Sequence, residues 1–147
     1  MNALRAAPAL GPVPDSRVAM IGVLRALLLG EAAGGLALAI FLSLMAGGQT
    51  DFVGGDSGRA AEESLRFAAG GALLLAIGAA VASRGARRRR PWAWTMAAIL
   101  QVIVAVATGA AVMIAEWHPL FLIGFGIAAV VMLVLSTTSV RRALGQE

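Results

Sequence analysis

The chain is 147 residues long, 59% apolar and only 14% charged, with a mean hydropathy of +0.84. Soluble domains run at about 45–50% apolar and roughly 25% charged, so a water-soluble globular fold is excluded, and so is disorder, which requires low hydrophobicity. The basic residues are twelve arginines without a lysine, set against eight acids, and the absence of cysteine rules out disulfides, thiolate metal ligation and thiol catalysis.

A spanning helix needs about 20 mainly apolar residues, because ~30 Å of hydrocarbon is crossed at ~1.5 Å per residue. Four stretches meet that need, which predicts an all-α fold: an antiparallel bundle of four transmembrane helices forming a single membrane domain over 1–147. A tail over 1–17 carries Arg5, Pro12, Pro14 and Arg17, with Asp15 or Ser16 placed to cap the first helix. Helix one is expected over 18–47, with an interfacial start. It is read as retained rather than as a signal peptide, since its apolar run exceeds the usual ~7–15 residues and contains Glu31. A Gly/Asp-rich loop over 51–58 leads to helix two at 58–83, where Glu62 and Arg66 stand four apart in the favourable order. Pro91 opens helix three at 91–116, in the first turn, where a missing N–H is harmless. Glu116, Trp117, His118 and Pro119 form a connection so short that helix four, at 119–141, is expected to return as an antiparallel hairpin.

Arginine placement orients the bundle. Arg5, Arg17, Arg25, Arg84, Arg87 to Arg90, Arg141 and Arg142 fall on one side. The other side holds Arg59 and Arg66 with most of the acids. The positive-inside rule then puts both termini in the cytoplasm, with Trp92 and Trp94 at the inner interface and Trp117 at the outer one.

Glu31 is the most informative residue. An ionised carboxylate near the centre of a membrane helix costs roughly 2.5–3.5 kcal/mol on insertion scales, so Glu31 is expected to face the bundle interior. Gln101 lies at a comparable depth in helix three, and the two are expected to meet as a candidate intramembrane polar site. Such a pair acts either as interhelical glue or as a proton-coupled site exchanging a proton for a cation. Close helix packing is expected at Gly30 and Gly34, a GxxxG pair, and along the ridge of Ala68, Ala72, Ala76 and Ala80, within one chain or between two copies. Arg87, Arg88, Arg89 and Arg90 are candidate contacts for anionic lipid, besides fixing topology. They form a short turn with no recognition module attached, which argues against nucleic acid. His118 and Glu116 supply too few ligands for a metal, and no cofactor motif is present. Catalytic signatures such as GxSxG, HExxH or a P-loop are absent, so no enzyme and no catalytic residue are expected.

The stretch from Arg84 through Pro91-Trp92-Ala93-Trp94, Gln101 and a Trp-containing turn to Leu135-Ser136 and Val140-Arg141-Arg142-Ala143-Leu144, with a Glu in the first helix, resembles the small four-helix integral membrane proteins of actinobacteria. That resemblance implies a multi-pass protein of the bacterial inner membrane. The helix-one Glu31 is also similar in placement to the proton-carrying Glu of small multidrug-resistance transporters, although the expected aromatic chamber is reduced to Phe41, Phe121 and Phe125. The expectation is therefore a non-catalytic accessory or structural component whose partners are the bilayer and either a larger membrane assembly or a second copy. The alternative is a small dimeric proton-coupled exporter using Glu31.

Overall fold

The computed structural model describes residues 15–53, 55–114 and 120–146. Among them the chain is all-helical: α1 Asp15–Val53, α2 Gly55–Arg87, α3 Trp92–Ile114, α4 Leu120–Ser136 and α5 Thr138–Ala143. Three stretches are long and apolar enough to cross a membrane, Ala19–Gly48, Gly55–Arg87 and Trp92–Ala110, and Leu122–Ser136 is a shorter apolar helix. The tail over 1–14 and the 115–119 connection, with Glu116, Trp117 and His118, lie outside the described residues.

Small residues set the packing, because apolar surface gains little by leaving lipid-like surroundings and close backbone approach must hold helices together. On α1, Ile21, Leu24, Leu28, Ala39 and Ala46 are buried, and with Gly35 they recur on one face at helical spacing. The buried residues of α2 include Ala69, Ala72, Ala76, Ala79, Ser83 and Ala86, spaced alternately by three and four. These two stripes meet in an antiparallel pair. A Cβ at Gly35 would stand 3.1 Å from Ala76 Cβ and 3.2 Å from the Ala72 carbonyl oxygen, so no larger residue fits without separating the helices. The helix-two ridge is thus present at Ala72 and Ala76 but not at Ala68 and Ala80, which are exposed. A strict four-residue repeat drifts around a helix of 3.6 residues per turn, whereas the alternating spacing stays on one seam.

The expected loop over 51–58 is not one. α1 runs on to Val53 and α2 starts at Gly55, where φ is +64°. At ~1.5 Å per residue the two helices are about 58 and 50 Å long, well over the ~30 Å of a bilayer core. Ala46 and Gly58 are buried on this end of the pair, which extends the seam and carries the helices through the polar sequence. Asp56 lies in the first turn of α2, and Glu62 pairs with Arg66 across one turn.

α3 returns along α2 on a face next to the α1 seam. Gly78 meets Leu100, and a Cβ at Gly85 would stand 2.6 Å from Trp92 Cη2 and 2.9 Å from Ala93 Cβ. α4 runs antiparallel to α3: Gly124 lies against Thr108 and Gly109 against Phe125, while far along both helices the Trp94 indole N–H donates to the Leu135 carbonyl at 3.0 Å. Helix four, expected to continue to 141, divides instead at Thr137, which is extended at φ −67°, ψ 137°. That break removes the normal i+4 donor from the Leu135 carbonyl, and Trp94 supplies the replacement. α5 then folds back so that Val140 and Leu144 join Leu24, Leu28, Ala82, Ala86 and Ala97 in the core. Gln146 Nε2 donates to the Pro91 carbonyl at 3.2 Å and fastens the C-terminal segment to the α2–α3 turn.

Candidate functional site

Glu31 sits at the margin of the α1 seam, half-buried, where the helix passes α3. Gln101 is 1% exposed on α3. Its Nε2 donates to both carboxyl oxygens of Glu31, at 2.9 Å to Oε1 and 2.8 Å to Oε2, closing a contact across 70 residues of sequence. The pair lies inside two of the apolar stretches, Ala19–Gly48 and Trp92–Ala110. Gln101 Oε1 is buried and has no hydrogen-bond partner among the described residues. The Gln101 amide thus donates to Glu31 and accepts nothing from it. Chemically this is a carboxyl held by one side-chain amide. It links α1 to α3.

The other expected positions divide. Ala72 and Ala76 pack against Gly35. Gly30 and Gly34 do not take part in packing within the chain: both are exposed, and a Cβ on either would meet nothing within 4 Å. The seam uses Gly35 instead. Adjacent helical positions are turned by about 100°, so a GxxxG pattern one residue out of register points away from the partner helix. Phe41 and Phe125 are exposed, and nothing gathers them around Glu31.

The arginines named as candidate lipid contacts are divided between two clefts by the turn that carries them. Arg87 and Arg89 line a cleft of ≈ 260 Å³ together with Ile21, Gly22 and Arg25 from α1. Arg88 and Arg90 line a second, of ≈ 320 Å³, with Arg84, Gly85, Val81 and Trp92. Neither cleft is lined by Glu31 or Gln101. In the sequence Arg25 reads only as a topology charge. Its position inside the apolar stretch Ala19–Gly48 is the signal that marks it, since ionisable residues at such depth are retained for a reason. Among the described residues no group of three or more His, Asp or Glu is placed to hold a metal. Compared with known proteins, the chain matches no family model, no curated protein and no solved structure, so its own residues carry its functional reading.

Proposed function

We propose that the chain is an integral protein of the bacterial inner membrane, crossing it four times with both termini in the cytoplasm. In this reading it acts without catalysis or cofactor, as an accessory or structural component. The fourth crossing is made by α4. The α1–α2 pair then extends past the outer face of the bilayer, with the acids Asp56, Glu62 and Glu63 at its far end.

The observation that carries this reading is the direct Glu31–Gln101 contact, with Gln101 1% exposed and both carboxyl oxygens engaged. A proton-coupled exporter needs water to reach its carboxyl from each side in turn, while a structural pair needs only the hydrogen-bonded contact between its helices. The test is proton release from the reconstituted chain on addition of a panel of organic cations, for the parent and for Glu31→Gln. Under the structural reading neither releases protons and both fold alike. Cation-driven release that occurs in the parent and vanishes in Glu31→Gln would replace this reading with the exporter.

A further inference from the structure

We infer that the cleft between the start of α1 and the end of α2 is a binding site for the phosphate group of an anionic phospholipid, held by Arg25, Arg87 and Arg89. Three observations converge on it. The first is composition: the cleft is lined by three arginines, one from α1, one from the last turn of α2 and one from the turn that follows it, with Ile21 and Gly22 as its remaining walls. No acid lines it, and among the described residues the ion pairs Arg59–Asp56 and Arg66–Glu62 lie at the opposite end of the pair. Guanidinium presents planar, bidentate N–H donors that match phosphate oxygens.

The second observation is an unmet donor. Arg25 Nε is buried and has no hydrogen-bond partner among the described residues. Buried donors are almost always paired, and the residue that carries this unpaired one lines the cleft.

The third is backbone conformation. α2 ends in a Schellman motif, with Arg90 N–H donating to the Gly85 carbonyl and Arg89 N–H to the Ala86 carbonyl, both at 3.1 Å. The residue that turns left-handed in this motif is normally glycine. Here it is Arg89, at φ +50°. The same motif recurs at the end of α5, where Gln146 N–H donates to the Arg141 carbonyl and Gly145 N–H to that of Arg142, and there glycine holds the left-handed position at φ +70°. The chain thus uses the unstrained residue at one end and a strained arginine at the other. A non-glycine residue in this region is kept for what its side chain does. Arg89 lines the cleft together with Arg25.

The source of the phosphate follows from position. Arg25 lies within the apolar stretch Ala19–Gly48, so a bound phosphate would sit at the level where headgroups meet acyl chains. The inference rests on the reading of the chain as a membrane protein but not on its role there.

The experiment uses the full chain, delipidated in a neutral detergent. Short-chain phosphatidylglycerol, short-chain phosphatidylcholine and inorganic phosphate are each titrated, with binding followed by calorimetry. The expected result is saturable binding of phosphatidylglycerol at one site per chain, at least ten-fold tighter than either competitor. Arg25→Gln, Arg89→Gln and Arg89→Gly should each weaken it ten-fold or more, whereas Arg88→Gln, one residue away but in the other cleft, should weaken it less than three-fold. Arg89→Gly keeps the test decisive if another variant unfolds, since it relieves the left-handed strain and should melt above the parent while losing the lipid. Equal binding of the two lipids, or equal loss in Arg88→Gln and Arg89→Gln, would overturn the site and leave diffuse surface charge. Inorganic phosphate binding as tightly as the lipid would overturn the lipid as its source.

Discussion

At the scale of single residues, Glu31 and Arg89 make opposite demands on their surroundings. Glu31 needs a partner, and Gln101 provides one through a single nitrogen at 2.9 and 2.8 Å. Glu31→Gln preserves shape and hydrogen-bonding capacity, so its thermal stability in detergent should match that of the parent. Glu31→Leu leaves the buried Gln101 amide unpaired. It should cost about 1–3 kcal/mol, the penalty of an unsatisfied buried polar group, measured by chemical or thermal unfolding. Equal stability of the two variants would show that the pair contributes nothing to helix association. Arg89 is the reverse case, a residue whose own backbone is strained at φ +50°. A left-handed non-glycine residue costs roughly 1–2 kcal/mol, and glycine returns about 0.5–1 of that in unfolded-state entropy. Arg89→Gly should therefore gain up to about 1 kcal/mol, a rise of roughly 2–4 °C in Tm for a chain of this size. A fall in Tm would mean that the guanidinium holds the turn together.

Between elements, the contacts depend on which face each small residue occupies. Gly85 is pressed between Trp92 and Ala93, with 2.6 Å left for a Cβ, whereas Gly34 looks onto open space. Gly85→Ala should cost about 1–3 kcal/mol through overpacking. Gly34→Ala should raise stability toward the roughly 1 kcal/mol by which alanine exceeds glycine in a helix. If the Gly30 and Gly34 face receives a second copy of the chain, the same Gly34→Ala change should instead reduce cross-linked dimer in the membrane, a separate readout. The sequence contains both glycines of the GxxxG pair, but nothing local says which way a uniformly apolar helix faces. An amphipathic helix shows its buried side by contrast, and α1 has little contrast to show. For the same reason the seam through Gly35, Ala72 and Ala76 is legible in the sequence only in part. The break at Thr137 is hidden too, because the Leu135 carbonyl released there is satisfied by Trp94, a residue 41 positions away.

On the scale of the whole molecule, the reading of topology can be tested with single cysteines, since the chain has none of its own. Ser57 is exposed at the far end of the α1–α2 pair and Arg88 is exposed in the α2–α3 turn. Ser83, though at a similar level, is only 3% exposed and would report burial instead of sidedness. Cysteine at Ser57 should react with an impermeant maleimide in intact cells, and cysteine at Arg88 only after the membrane is opened. The opposite pattern would reverse the orientation read from the arginines, and labelling of both from one side would remove α2 as a crossing.

Composition and the length of the apolar runs determined, without any structure, that this chain is helical and carries stretches suited to a membrane. Those properties are local sums over about 20 residues and need no knowledge of neighbours. The meeting of Glu31 with Gln101 was also within reach, because depth along a helix can be counted from its end at ~1.5 Å per residue. Only the tertiary structure decided rotation and termination: that Gly35 and not Gly34 takes the seam, that α1 and α2 continue as a pair through a Gly-rich segment, and that α5 turns back into the core. It also decided that five neighbouring arginines face two different clefts, one of them completed by Arg25 from another helix. These depend on which surfaces come together and on where each chain end finds its hydrogen-bond partners, and such partners lie tens of residues away in sequence.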